Sequence, residues 1–277
     1  HRITYRFYSG WKGDGNGALT EACYPDAVRR ILDTGREETE RLALDSPLWV
    51  ADKEVLLGSP AVGRGLLERF LEHEMAVAGS HFVPQAFEVS FGLPLVPGEV
   101  DAASIEDAIA IPLGNETIRL RGRVDRVDVM PDGRFMITDY KTGTSHHGLK
   151  DIQAGKALQL PLYLRAVEIL TGMEGVAGTY YTLKRGEVRN RPVFWDASLA
   201  ECFSCYTGSQ RNGVGDVREL VETTLSWVQK YLAGIRRGFF PPRLDSGPCP
   251  TYCGFKTICR FDPLRILEAE AIPDGTD

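Results

Sequence analysis

The stretch GRVDRVDVMPDGRFMITDYKTG, residues 122–143, constrains this chain more than any other. Its halves read as two β-strands joined by Met-Pro-Asp-Gly, with Pro, Asp and Gly in the order of a tight hairpin turn. In the return strand Phe135, Ile137, Asp139 and Lys141 share one parity, while Met136, Thr138 and Tyr140 share the other. Asp139 and Lys141 therefore project together, roughly 7 Å apart along the strand. In the outgoing strand the apolar parity runs through Ile118, Leu120, Gly122 and Val124, then moves to Val127 and Val129. That shift predicts a bulge or bend near Asp125 and Arg126, a device that re-aims a side chain.

Across the hairpin Asp125 and Asp139 approach each other near the strand ends. Two converging carboxylates repel unless a cation lies between them. Hard divalent ions such as Mg²⁺ or Mn²⁺ use one or two carboxylates and leave positions for water and for phosphate oxygens. Such an ion acidifies water and offsets charge on a phosphorane-like transition state. A lysine two residues from a ligand can orient that water or stabilise the developing charge. The set suits phosphodiester hydrolysis. The plainer alternative is a hairpin bearing surface ion pairs among Asp125, Arg126, Asp128, Asp139 and Lys141.

The rest of the chain fits a mixed α/β unit. The first eighty residues read as helical, FEVSFG (87–92) and GTYYTLKRG (178–186) as strands, and 116–129 as one long strand. ALQLPLYLRAVEIL (157–170) reads as a helix with Pro161 in its first turn, and 217–237 as a long amphipathic helix. Three parts are expected: a helical part over 1–83, a core over 84–215, and a C-terminal helix with a cysteine-bearing segment over 216–277. With 277 residues and a net charge of −6, the chain has no global positive field to draw in nucleic acid. A polyanionic partner must then be met by local basic residues or by a metal ion. No apolar run is long enough to span a bilayer, and no secretory signal is present. Of six cysteines, Cys249, Cys253 and Cys259 cluster near one end, which favours metal ligation in a reducing compartment over disulfides. The chain is read as cytoplasmic.

GRVDRVD (122–128), ITDYKTG (137–143) and QLPLY (159–163), in this order, resemble the PD-(D/E)XK nucleases, within them the RecB-like group nearest the AddB-type nuclease domain. The resemblance covers roughly residues 60 to 262. It implies a restriction-endonuclease-like core, a central mixed sheet flanked by helices. It implies Asp125, Asp139 and the main-chain carbonyl of Tyr140 as ligands of Mg²⁺ or Mn²⁺, with Lys141 as the catalytic lysine. Gln159 and Tyr163, four apart on one helix face, would line the site and touch DNA. HRITYRFY at residue 1 resembles the family's upstream helix, which makes His1 a further ligand. Glu88 is the other upstream acid, read more readily as a charge on the solvent face of an edge strand.

Cys249, Cys253 and Cys259 resemble three of the four ligands of the iron–sulfur cluster carried by several AddB-type nucleases, the first spacing being longer by one residue. Four cysteines suit [4Fe-4S] or zinc. The fourth ligand would lie upstream of residue 1, or be Cys23. Cys202 and Cys205 read as packing cysteines on a helix. The chain lacks the GxxxxGK[ST] phosphate loop of a helicase motor. By resemblance it would cut single-stranded or unwound DNA beside a helicase domain or subunit in a DNA-repair complex. A standalone nuclease trimming ends for CRISPR spacer acquisition, and a silent scaffold that binds DNA or a partner, are the alternatives.

Overall fold

The hairpin is the centre of the main sheet. The computed structural model describes residues 1–42, 45–143, 147–206, 211–239 and 254. In chain order the N-terminal part holds α1 (Arg2–Gly13), α2 (Tyr24–Leu42), α3 (Pro47–Leu57), a short ribbon of β1 (Gly58–Ser59) and β2 (Gly63–Arg64), and α4 (Leu66–Ala76). Then come β3 (Val83–Phe91), β4 (Ile109–Leu113), β5 (Glu116–Leu120), β6 (Gly122–Val129) and β7 (Arg134–Lys141). After them follow α5 (Leu149–Gln153), α6 (Gln159–Thr171), β8 (Glu174–Lys184), β9 (Glu187–Asp196), α7 (Ala200–Phe203), β10 (Gly213–Val214) and α8 (Val217–Arg236). The chain divides into two compact units, residues 1–227 and 228–277. Every sheet and site below belongs to the first. In the second, the described residues are the end of α8 through to Phe239, and Gly254.

Six strands lie in the order β10-β9-β8-β7-β6-β3. Pairing is antiparallel from β3 through β6 to β7, parallel between β7 and β8, antiparallel to β9, and parallel again to β10. The sheet is therefore mixed, as the resemblance implies. Parallel β7 and β8 need a crossover, and α5 with α6 supply it. At the turn, Gly133 takes a φ of +87° and its N–H donates to the Met130 carbonyl at 3.0 Å, which closes the hairpin.

Both faces of the sheet are covered, which is why six consecutive residues of β7 are buried. On one face α1 contributes Tyr5, Phe7, Tyr8 and Trp11 to a core with Ile31 of α2, Phe70 and Leu71 of α4, and Tyr140 and Tyr181 of the sheet. Tyr8 stacks on Phe87 at 4.7 Å between centroids. On the other face α6 lies close against β8. A Cβ at Gly175 would sit 2.5 Å from Leu164, and one at Gly178 would meet Phe194 at 2.6 Å and Leu160 at 3.4 Å. Cys202 and Cys205 pack beside Phe203 and Tyr206 in a smaller core. Among the described residues, no helix is long and apolar enough to cross a membrane.

One expectation is corrected, and two strands arise where none was expected. The expected strand over 116–129 is broken at Arg121 into β5 and β6. Its cause is the neighbour strand: β3 pairs with β6 only as far as Phe91–Gly122 and turns away at Gly92, φ +70°. Residues 116–120 then have no partner in the main sheet and pair with β4. β9 also escaped the sequence reading, its alternation being masked by Arg189, Asn190 and Arg191.

Candidate active site

The parity shift in β6 is real, and its partner strand shows why. Arg126 faces α4, where Nη1 meets Glu74 Oε2 at 2.8 Å. Gly122 faces the opposite way, since a Cβ there would sit 2.7 Å from the Tyr163 hydroxyl of α6. Two residues of equal parity thus lie on opposite faces, and the switch falls between them, around Asp125. Opposite this switch, Glu88 of β3 has a φ of +53°. For a residue with a Cβ that conformation costs about 1–2 kcal/mol, and such outliers persist where the surroundings hold them.

The kink gathers a cluster. His1, at the head of α1, lies with Nδ1 3.3 Å from Asp125 Oδ1 and 3.6 Å from Glu88 Oε1. One ligand atom from each of His1, Glu88 and Asp125 lies within 4.8 Å of the others, the one such group of three among the described residues. The β6–β7 ladder runs from Val129–Phe135 to Arg126–Thr138, so Asp125 lies just beyond its last pair. There the Tyr140 N–H donates to Asp125 Oδ2 at 2.8 Å, and the side chain takes the place of a ladder bond.

Asp139 stands beside this set rather than inside it. Its Oδ2 meets Lys141 Nζ at 2.5 Å, and its Oδ1 accepts from Gln159 Nε2 at 2.9 Å. Lys141 and Asp139 thus share a face, as alternation requires. Lys141 also lies 3.5 Å from Gln159 Oε1 and over the Tyr180 ring at 5.3 Å. Burial pushes the Asp139 carboxyl above its ordinary range, Lys141 pulls it back, and the Asp125 charge adds a further push. The neighbouring Asp125 carboxylate, and after it that of Glu88, raises His1 to about 10 against the cost of its burial. The pocket therefore selects for positive charge. A proton on His1 and a divalent cation compete for the same place, because a ligating imidazole must be neutral.

Whether the residues suit a divalent ion can be judged from one atom. Glu88 Oε1 is buried and accepts no hydrogen bond, and a buried carboxylate oxygen left so is costly. A cation shared with Asp125 Oδ1 and His1 removes that cost, and two carboxylates with one imidazole form a hard donor set. The residues fit.

Of the residues singled out in the sequence, His1, Asp125, Asp139, Tyr140, Lys141 and Gln159 come together. Tyr163 does not reach the carboxylates by any hydrogen bond here. It packs on Gly122 and edge-on against Phe91 at 5.8 Å, which explains why GRVD begins with glycine. Glu88 is a correction, for it is 7% exposed and belongs to the cluster, not to a solvent face. Alternation could not reveal this, because a left-handed backbone at a non-glycine residue leaves no mark in sequence. Cys249, Cys253 and Cys259 lie outside the described residues. Cys23 is half-buried and accepts from the Thr20 N–H at 3.1 Å.

A mixed sheet with helices on both faces thus gathers acids, a lysine and an imidazole around one hairpin. The chain belongs to the PD-(D/E)XK nuclease superfamily, whose model matches residues 1–260. Its relatives include bacterial proteins named as one subunit of an ATP-dependent helicase/deoxyribonuclease. That of Desulforudis audaxviator is 30% identical over 290 residues, covering 80% of this chain and 24% of the relative. That of Moorella thermoacetica is 34% identical, covering 61% and 16%. That of Symbiobacterium thermophilum is 29% identical, covering 94% and 26%. The chain spans about a quarter or less of the length of these relatives.

Proposed function

We propose that this chain is a deoxyribonuclease unit that hydrolyses phosphodiesters of single-stranded or unwound DNA with Mg²⁺ or Mn²⁺, as part of a helicase–nuclease assembly for DNA repair. The observation that carries this reading is the convergence of His1, Glu88 and Asp125 within 4.8 Å beside the Asp139–Lys141 pair. The relatives' names, which join an ATP-dependent helicase to a deoxyribonuclease, support the DNA substrate and the helicase partner.

When bound, the ion supplies Lewis-acid stabilisation of the phosphate and a more acidic water. His1, Glu88 and Asp125 would hold it, with Asp139 adjacent and the main-chain carbonyl of Tyr140 as a further donor. Lys141, fixed by Asp139, Gln159 and the Tyr180 ring, keeps its ammonium group beside the acids. There it can orient the attacking water and offset charge on the phosphate. Gln159 holds Asp139 through its amide, so the lysine and the acid keep a common orientation. In a chain of net charge −6, the approach of DNA needs local cations. Arg119 and Arg121 are exposed, two residues apart, on the chain leading into Asp125, while the partly exposed Arg123 is tied to Ser90 Oγ at 2.8 Å and lies 3.5 Å from Glu88 Oε2. The exposed pair can follow a strand's phosphates to the site. A cysteine-ligated iron–sulfur cluster at Cys249, Cys253 and Cys259 belongs to the same reading, and iron content with visible absorption of the purified chain tests it.

The main experiment is degradation of end-labelled single-stranded DNA. Wild type should cut in Mg²⁺ or Mn²⁺, fail in Ca²⁺ and in EDTA, and lose cleavage on Asp125→Ala. Robust cutting in EDTA would overturn the reading. DNA binding without cleavage in any metal would favour the scaffold instead.

A further inference from the structure

β3 is an edge strand of the main sheet, yet its outer edge is closed on both sides of Glu88. The Phe87 N–H donates to Asp101 Oδ2 at 3.1 Å, and the Ser90 N–H donates to Ser104 Oγ at 2.9 Å. The Ile105 N–H donates back to the Ser90 carbonyl at 2.9 Å. Asp101 is itself fixed, because its Oδ1 accepts from the Ala103 N–H at 3.0 Å. Edge N–H groups can equally bond water. Here two side-chain acceptors take the donors that flank the one left-handed residue of the strand.

The same segment also grips α1. Glu99 Oε1 accepts from Arg2 Nη1 at 2.7 Å, and the Val100 carbonyl accepts from the Tyr5 hydroxyl at 2.8 Å. Arg2 follows His1 directly, and Tyr5 N–H bonds the His1 carbonyl at 2.9 Å. Consecutive residues 99, 100 and 101 therefore tie the helix that carries one member of the cluster to the strand that carries another.

We propose that residues 99–104 are a bracket that sets the separation of His1 and Glu88 for metal binding, with Asp101 and Ser104 as positioning residues. This rests on the reading of His1, Glu88 and Asp125 as a ligand set. The bracket touches no ligand atom. It fixes the backbone from which the Glu88 carboxylate departs and the end of the helix from which His1 departs.

Calorimetric titration of the whole chain with Mn²⁺, without DNA, tests this. Ser104→Ala and Asp101→Ala should each weaken Mn²⁺ binding roughly tenfold, the scale on which supporting residues act on a metal. Ser104→Thr, which keeps the hydroxyl, should restore it. In a Glu88→Gln background, Ser104→Ala should change binding no further, since its effect passes through Glu88. Wild-type affinity in Ser104→Ala would overturn the bracket. So would a loss of equal size in the Glu88→Gln background, which would mark general loosening. Should Asp101→Ala fail to fold, Ser104→Ala and its threonine rescue decide alone. Unaltered Mn²⁺ binding in Glu88→Gln would instead bring down the ligand set, and it is a separate result from failure of the bracket.

Discussion

Hairpin β6–β7 carries two charge clusters, and sequence neighbours belong to opposite ones. Asp125 turns to the open cluster and Arg126 to a closed one. In the closed cluster Arg126 Nη1 meets Glu74 at 2.8 Å, its Nε meets Asp128 at 2.6 Å, and the Tyr8 hydroxyl donates to Glu74 at 2.6 Å. All four of these residues are buried. Desolvation works against the Arg126 charge, yet Asp128 and Glu74 hold it firmly protonated. The open cluster has Lys141 a third exposed, His1 nearly half exposed, and a buried Glu88 oxygen that accepts nothing. Similar residue types serve opposite ends. One cluster is closed around a buried arginine, and the other keeps part-exposed Lys141 and His1 beside its acids, where a cation from outside can reach them.

Breaking each cluster should therefore have different consequences. The largest effect is expected from Arg126→Met. It strands two buried carboxylates and should cost about 3–5 kcal/mol in unfolding free energy, read by urea denaturation. Lys141→Ala should leave that stability within about 0.5 kcal/mol, as changes at part-exposed positions do. It should lower cleavage roughly 10²–10³-fold, the loss that follows removal of one charge-stabilising donor. An active Lys141→Ala protein would erase the contrast between the clusters.

The third expectation uses pH. Burial raises the Asp128 carboxyl from 3.8 to about 6 in the folded chain, against the pull of Arg126. An acid that holds its proton more tightly when folded stabilises the fold at low pH, and that contribution is lost as pH rises from about 4 to 6. The shift corresponds to at most about 3 kcal/mol. Asp128→Asn should flatten this part of the stability–pH curve relative to wild type, while metal-dependent changes at the open cluster stay. The smallest effect is expected from Tyr8→Phe, which removes one hydrogen bond to Glu74 and should cost about 1.5–3 kcal/mol because the acceptor is charged, with cleavage per folded molecule unchanged.

The hairpin was legible because alternation is a strict rule. Parity placed Asp139 with Lys141, and the break in apolar parity located the kink at Asp125. Helix spacing brought Gln159 towards the acid, since residue 159 begins α6 just above β7. What failed depended on partners far away in sequence. Nothing in residues 116–129 says that β3 ends at Phe91 and turns away at Gly92, so the split at Arg121 was hidden. Glu88 was misplaced for the same kind of reason. Its unusual backbone is held by Asp101 and Ser104, and no local pattern in AFEVSF reports them.

His1 and Asp125 stand 124 positions apart in the chain, with Glu88 between them. Closing so long a span is entropically expensive, and each doubling of its length adds about 0.6 kcal/mol. The three-residue cluster therefore cannot assemble from a short fragment. It comes into being only once the first helix has docked onto a finished sheet. A half-made chain would lack the cutting centre proposed above, and an ion that joins these distant residues favours the mature form over every incomplete one.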